Sequence, residues 1–198
     1  MQLTTDIDLV ISTLKSGGVV VYPTETTYGI GCDATNVAAV DRIFAIKGRP
    51  QAKGVTALLP KNEWGDRIGL VWPPALRELA EKHWPGALNV VLPAAAPSEI
   101  VPAYLTNGTL AVRRSSHPVA NALVDALGVP LVSTSANISG EPELYSAKEI
   151  FDRFSGEAIQ PDVIFDAGEL PKRAPSTLIV WDDARGVVVL RQGEIQVF

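Results

Sequence analysis

The chemically most distinctive segment of this sequence is a short basic run near residue 50. Lys47, Arg49 and Lys53 fall within seven residues, together with Gly48, and Gly54 follows directly. Lysine supplies a point charge, arginine supplies a planar pair of donors that matches phosphate oxygens, and glycine lets backbone N–H groups approach the same anion. Because the whole chain is acidic, with 22 acidic and 17 basic residues, this local cluster favours a phosphate site over an ordinary solvated loop.

A second segment is rich in hydroxyl and amide groups. Residues 133–140 read Ser-Thr-Ser-Ala-Asn-Ile-Ser-Gly and follow an apolar run. Ser133, Ser135 and Asn137 could donate to or accept from a ribose, a phosphate or an amino acid. The same residue types also favour turns because they bond their own backbone. Taken alone, this segment fits the local role better.

Two single charged residues have two interpretations each. Arg113 continues the apolar strand-like run 110–112, so it either emerges at a sheet edge or is held in a pocket by an anion. The residues alone leave both open. Glu25 lies in Pro-Thr-Glu-Thr-Thr-Tyr-Gly and could act as a general base, but a lone glutamate beside a proline turn favours a structural role. A further polar segment is split between 175–177, Pro-Ser-Thr, and 191–193, Arg-Gln-Gly.

Several familiar binding motifs are absent from the sequence. No glycine is followed by lysine and a hydroxyl residue, as a Walker-type loop requires, and no dinucleotide fingerprint is complete. His83, His117 and Cys32 give no transition-metal pattern, and His117, just before a proline, is expected to start a helix. Any metal is therefore expected to be Mg²⁺ held mainly by substrate phosphates.

Composition narrows the class of protein. With 198 residues and 46% hydrophobic side chains, the chain is expected to form one domain over residues 1–198. A single cysteine excludes an internal disulfide, and no signal-peptide pattern or membrane-length apolar run is present. We therefore expect a cytoplasmic protein without membrane contact. The acidic balance argues against a surface that grips nucleic acid backbones.

Strand-like and helix-like patterns alternate, which predicts a mixed α/β fold with antiparallel pairing near the strand-rich C-terminal end. The predicted strands are Val19–Tyr22, Val55–Leu59, Leu88–Leu92, Leu110–Arg113, Val129–Ser133, Val163–Phe165, Thr177–Val180, Val187–Leu190 and Ile195–Val197. The predicted helices start after Asn36 and stop near Gly48, open at Pro73 and end before Trp84, and span Pro118–Leu127 and Ala147–Phe154.

Seven stretches together resemble the YrdC-type threonylcarbamoyl-AMP synthase family, in its short, single-domain bacterial-like branch. The stretches are PTETTYGIGCDA, IFAIKGRPQAKG, WPGALNVVLPA, LAVRRSSHP, PLVSTSANISG, PSTLIV and LRQG. They run in the family's order from about Val19 to Gly193.

The resemblance implies a single YrdC-like α/β domain, with a twisted, open mixed sheet, flanking helices and a central, positively charged cavity. It also implies an adenylyl transfer. The amine of L-threonine is carboxylated by bicarbonate, the carboxylate attacks the α-phosphate of ATP, and pyrophosphate leaves. Downstream threonylcarbamoyl-transfer proteins would then modify an adenosine of tRNA, and direct contact with tRNA is not required.

Site residues follow from the matched positions of the resemblance. The threonine-binding positions are Thr26, Arg113, Ser133 and Ser176. The ATP-binding positions are Lys47, Arg49, Lys53, Thr109, Ser135, Asn137 and Arg191. Among these, Lys47 and Arg49 are the expected catalytic residues, and Glu143 departs from the family because some relatives have a hydroxyl there.

Three other functions remain open at this stage. The first is a catalytically weak relative of the same fold that binds nucleotide and RNA, against which the intact threonine positions argue. The second is a non-enzymatic module for structured RNA, which the acidic charge disfavours. The third is a carbamoyl-transfer domain of hydrogenase maturation, which normally lies in a much longer chain.

Overall fold

The computed structural model describes residues 1–50, 54–95 and 105–198. In chain order its elements are β1 (Gln2–Thr4), α1 (Ile7–Lys15), β2 (Val20–Pro23), β3 (Tyr28–Asp33), α2 (Val37–Lys47), β4 (Thr56–Leu58), α3 (Trp64–Arg67), α4 (Pro74–His83), β5 (Leu88–Pro93), β6 (Thr109–Arg113), α5 (Pro118–Leu127), β7 (Leu131–Ser135), α6 (Ala147–Phe154), β8 (Val163–Phe165), β9 (Thr177–Asp182) and β10 (Gly186–Arg191).

All strands of the described residues join one mixed sheet. Its order is β1-β8-β2-β3-β7-β4-β6-β5-β9-β10. Four adjacent pairs are parallel, namely β1/β8, β8/β2, β4/β6 and β5/β9. The other five are antiparallel. The mixed α/β architecture and the antiparallel pairing at the C-terminal end are as the sequence predicts.

Helix ends follow local chemistry. Asn36 caps α2 by accepting from the backbone N–H of Ala39, and α2 ends at Gly48, whose left-handed conformation (φ +55°) suits a residue without Cβ. His117 starts α5, where its ring nitrogen accepts from the Val119 N–H at 3.3 Å, which confirms its expected structural role. The end of α2 sets where Lys47 and Arg49 lie.

Three clusters of buried side chains hold the helices to the sheet. One joins α2 and α6 to one face of β2, β3 and β7. A second joins α1 and α5 to the opposite face. The third packs α3 and α4 against alternate residues of β5, β6 and β9. In the region of β4, β6, β5 and β9, the remaining alternate residues face a cavity instead of a helix.

Eight of the nine predicted strands are present, with small shifts at their ends. The prediction of a strand at Ile195–Val197 is wrong. β9 pairs with β5 on one side and β10 on the other, so it has no free edge. Ile195 instead exchanges hydrogen bonds with the side chain of Thr177, at 2.7 and 3.1 Å. Four further elements, β1, α1, β3 and α3, are present without a prediction from the sequence.

Within the described residues, no helix combines the length and the apolar character that spanning a bilayer requires.

Gly31 in β3 is a residue on which the close approach of β3 and β7 depends. A Cβ added there would lie 2.1 Å from the Val132 carbonyl oxygen and 3.0 Å from the Tyr22 ring. We expect Gly31→Ala to lower the free energy of unfolding by about 2 kcal/mol or more, because backbone must shift to admit the methyl group. Gly156→Ala is the matched control, since nothing lies within 4 Å of its added Cβ. Urea unfolding of both variants measures the difference, and equal effects would contradict the steric explanation.

Candidate active site

A cavity of about 460 Å³ lies over the middle of the sheet. Its described walls come from the β2–β3 turn, the end of α2, four central strands and the two ends of the β9–β10 hairpin. Most lining residues are small, hydroxyl-bearing or basic. They include Thr24, Thr26, Gly29, Arg49, Thr56, Asn89, Thr109, Ala111, Arg113, Ser133, Ser135, Glu143, Ser176 and Arg191.

Strand register explains which residues face the cavity. Thr56 pairs with Ser133 on one side and with Ala111 on the other, and Ala111 pairs with Val91. All four line the cavity, because residues paired across neighbouring strands point to the same face. Arg113, two positions beyond Ala111, therefore points to this face as well.

Arg113 is buried at the end of β6, with 6% of its surface exposed. Its Nη2 lies 2.5 Å from Oε1 of Glu25, and its Nε donates to the Gly86 carbonyl at 3.1 Å. The structure thus resolves the two interpretations of this arginine, since it lies in a pocket beside an anion. The anion in contact with it is a side chain of the same protein.

Glu25 has two further polar contacts that hold it in place. Ser115 Oγ donates to Oε2 at 2.6 Å, and the Ser116 N–H donates to Oε1 at 3.1 Å. Burial opposes the charged form, but the charge and hydrogen bond of Arg113 and the bond from Ser115 outweigh it, so the pKa of Glu25 lies below its ordinary value. Glu25 is therefore a carboxylate at neutral pH, and its structural interpretation is the one that the contacts support.

Thr26 is presented by a tight turn between β2 and β3. Thr24 Oγ1 donates to the Thr27 carbonyl at 2.6 Å and accepts from the backbone N–H groups of Thr26 and Thr27, each at 3.3 Å. Thr26 Oγ1 lies 3.2 Å from Thr24 Oγ1. The turn thus places a buried hydroxyl at the cavity wall, next in sequence to the carboxylate that holds Arg113.

Lys47 lies beneath the cavity and is not among its lining residues. It is 1% exposed, and its Nζ donates to the carbonyls of Ser135 and Asn137, the latter at 2.7 Å, and to Asn137 Oδ1 at 3.1 Å. Direct contact with phosphate, as expected from the sequence, would require Nζ to leave these oxygens. Burial lowers the pKa of Lys47 to about 7, and the charge of Arg49 acts in the same direction.

Asn137 contacts its own turn and the buried Lys47. Its Oδ1 accepts from Ser135 Oγ at 2.6 Å as well as from Lys47, and its Nδ2 donates to the Glu141 carbonyl at 2.7 Å. The local-capping interpretation of this segment therefore describes Asn137, which does not line the cavity. Ser133 and Ser135 do line it, because β7 extends to Ser135 and carries both on the cavity face.

One wall of the cavity brings together residues 175–177 and 191–193, the two halves of the split polar segment. Arg191 Nε donates to the Ser176 carbonyl at 3.1 Å, and its Nη2 lies 3.4 Å from Ser176 Oγ. Gly193 makes this approach possible, since an added Cβ would lie 1.9 Å from the Pro175 carbonyl oxygen. On the opposite wall, Thr109 Oγ1 donates to the Thr106 carbonyl at 2.8 Å.

The structure therefore brings eight predicted site residues to one cavity: Thr26, Arg49, Thr109, Arg113, Ser133, Ser135, Ser176 and Arg191. Lys47 and Asn137 support its floor, and Lys53 lies outside the described residues.

Thr56 and Asn89 line the cavity without a prediction from the sequence, and so does Glu143, which was noted only as a departure from the family pattern. The alternation of side chains along β4 and β5 could have identified Thr56 and Asn89 as facing the cavity. Glu143 lies in an irregular loop between β7 and α6, where no strand alternation indicates which side chains face the cavity.

No group of three or more His, Cys, Asp and Glu side chains suited to a metal ion occurs in the part of the chain that the structure describes. Glu143 is the one carboxylate among the described lining residues.

These features define a class of α/β proteins in which one mixed sheet carries a hydroxyl- and arginine-lined cavity. A sequence model of the Sua5/YciO/YrdC family, described as "Telomere recombination", matches residues 12–193, and the chain belongs to this family.

Three similar proteins illustrate the range of the family. A threonylcarbamoyl-AMP synthase of Xanthomonas euvesicatoria pv. vesicatoria (strain 85-10) is 40% identical over 184 residues, covering 84% of this chain and 96% of that protein. P. abyssi Sua5 complexed with L-threonine superposes with a TM-score of 0.85 at 33% identity, over 94% of this chain and 54% of that one. E. coli YciO superposes with a TM-score of 0.83 at 29% identity, over 99% of this chain and 95% of that one. The chain thus spans about half the length of the Sua5 structure.

Burial of Lys47 leads to a pH-dependent stability. The unfolded chain keeps a proton on this lysine up to about pH 10, whereas the folded protein loses it near pH 7. Between these values the unfolded state binds more protons, so the free energy of unfolding rises with pH. Relative to Lys47→Met, we expect the wild type to gain about 1 kcal/mol per pH unit between pH 7.5 and 9.5.

Urea unfolding at several pH values measures this gain. The control is Lys15→Met, which changes an exposed lysine at the end of α1. A pH profile of Lys47→Met that runs parallel to the wild type would show that Lys47 stays protonated in the fold.

Proposed function

We propose that this protein is an L-threonylcarbamoyl-AMP synthase, which uses threonine, bicarbonate and MgATP and releases pyrophosphate. The single observation that carries the proposal is the meeting, in one cavity of a Sua5/YciO/YrdC chain, of all four predicted threonine-binding side chains with four of the seven predicted ATP-binding ones. The Xanthomonas relative bears the name of this activity, and the P. abyssi relative holds L-threonine.

The threonine subsite lies around Arg113. Its guanidinium binds the threonine carboxylate, since a planar fork of donors matches a carboxylate and has more donors than Glu25 and Gly86 use. Thr26, Ser133 and Ser176 supply hydroxyls around the amino acid. All are buried or half-buried at the cavity wall, so their bonds to a ligand form away from bulk water.

The nucleotide subsite lies around Arg49 and Arg191, with Thr109 and Ser135 as hydroxyl ligands. Both arginines line the cavity, and a guanidinium can bind two phosphate oxygens at once. Lys47 enters the proposal as a positioning residue that holds the Ser135–Asn137 turn. The contact of Lys53 with phosphate stays a prediction from the sequence.

The reaction needs placement and cations more than a strong base. Bicarbonate and the threonine amine form an N-carboxylate with loss of water, and an oxygen of that carboxylate attacks the α-phosphorus of ATP. The bond to the bridging oxygen breaks, and pyrophosphate leaves. Because the nucleophile is already an anion, the arginines act by reducing repulsion between it and the triphosphate.

The proposal also includes the use of the product in the cell and the location of the protein. The product is a small molecule that would pass to threonylcarbamoyl-transfer proteins for tRNA modification, without a need for direct contact between this chain and tRNA. A single domain over residues 1–198 and a cytoplasmic location belong to the same proposal. The sheet that extends from β1 to β10 supports the first of these.

The decisive test is pyrophosphate release by the purified protein. With MgATP and bicarbonate, we expect release to depend on threonine and a product of the mass of threonylcarbamoyl-AMP to accumulate. Nucleotide binding without threonine-dependent release would overturn the proposal and favour a relative that binds nucleotide and RNA without turnover.

Substitutions in each of the two subsites should change KM for one substrate and leave KM for the other unchanged. We expect Arg113→Lys, which keeps a charge beside Glu25 but loses the fork of donors, to raise KM for threonine about tenfold and leave KM for ATP unchanged. We expect Arg49→Ala to raise KM for ATP on the order of 100-fold and to leave KM for threonine unchanged. Arg185→Ala, an exposed arginine in the β9–β10 turn, is the control. A shift of both KM values by each variant would contradict separate subsites.

A further inference from the structure

Glu25 connects two cavity walls that no strand pairing connects directly. It lies in the turn between β2 and β3, whereas its partners Arg113, Ser115 and Ser116 lie at and beyond the end of β6. Ser115 is 90 residues away in sequence. In the sheet, β7 and β4 lie between β3 and β6, a distance of about 14 Å at the usual strand spacing.

The contacts of Glu25 fix a position as well as neutralise a charge. Each carboxylate oxygen has its own partner, with Oε1 beside Arg113 Nη2 and the Ser116 N–H, and Oε2 accepting from Ser115 Oγ. The Glu25 side chain is 12% exposed and that of Arg113 is 7% exposed. A carboxylate held at both oxygens has little freedom to turn, so the β2–β3 turn is fastened to the end of β6.

The neighbour of Glu25 in that turn is Thr26, whose side chain lines the cavity. The turn itself is stiffened by the bonds of Thr24 to residues 26 and 27. A shift of Glu25 would therefore move the Thr26 hydroxyl together with it. The separation between Thr26 and Arg113 depends on the length of one glutamate side chain.

We propose that Glu25 is a positioning residue that sets the separation of Thr26 and Arg113 and thereby selects the amino acid that fits between them. The inference rests on the proposed function, in which Arg113 takes the substrate carboxylate and Thr26 lies near its side chain. A fixed spacing favours an amino acid of the size and polarity of threonine over one that lacks a methyl group, such as serine, or a hydroxyl, such as valine.

Two variants separate position from charge. Glu25→Gln removes the charge and keeps the length, whereas Glu25→Asp keeps the charge and shortens the side chain by one methylene. Under the proposal both lower the preference for threonine over serine and valine about tenfold, mainly through KM for the amino acid, with KM for ATP unchanged. Ser115→Ala, which frees Oε2, should act in the same direction with a smaller effect.

A second ion pair provides a matched control. Arg42 and Asp162 form a two-pronged, half-buried pair at 2.6 and 2.7 Å, away from the cavity lining. Asp162→Asn should lower the unfolding temperature without changing amino acid preference. Thermal unfolding of every variant shows which of them remain folded at the assay temperature.

Amino acid preference is measured twice, by kcat/KM and by calorimetric dissociation constants for threonine, serine and valine. Loss of preference in both Glu25 variants, but not in Asp162→Asn, supports the proposal. A Glu25→Asp variant with wild-type preference overturns it, since charge alone would then suffice, and so does loss of preference in all variants together. A wild type that binds no threonine overturns the proposed function itself, whereas selective binding that survives in Glu25→Gln overturns only the role of Glu25.

Discussion

The constraint on which this structure most depends is that a buried cation must have partners. Arg113 and Lys47 are both almost fully buried, and transfer of an unpaired charge from water into a protein interior costs many kcal/mol. Arg113 meets the constraint with Glu25 from the β2–β3 turn, and Lys47 meets it with three oxygens of the Ser135–Asn137 turn. In each case the partner comes from a distant part of the chain. Burial of charge therefore fastens the loops that form the cavity walls.

The different partners of Lys47 and Arg113 have different consequences for catalysis. All three oxygens around Lys47 belong to the protein, so its amino group is committed to the fold. A guanidinium has five N–H donors in a planar array, and Arg113 uses Nε for Gly86 and Nη2 for Glu25. Donors remain on Arg113, and in the proposed function the substrate carboxylate would take them and join an existing pair. Such a site is oriented before the substrate arrives, so little rearrangement is needed during the reaction.

Most of the secondary structure was predictable from local patterns, and the failures have physical causes. Helix α2 was marked at both ends by Asn36 and Gly48, and both act as caps. Strand β3 was missed because Gly29 and Gly31 interrupt its apolar pattern, although those glycines admit Tyr22 and the β7 backbone. Eight of the residues that line the cavity followed from the family resemblance. The pairing of Glu25 with Arg113 did not, because contacts between distant segments leave no periodic signal in one sequence.

The cavity exists because small residues occupy positions that elsewhere in the sheet carry large ones. Gly29, Ala111 and Ser133 face the cavity, while the alternate residues of the same strands, among them Ile30 and Val112, are fully buried on the opposite face. Close packing of that opposite face stabilises the sheet. The cavity face can therefore carry hydroxyls and cations at little cost to the fold. Where helices pack against only one side of the sheet, the other side is thus free for chemistry.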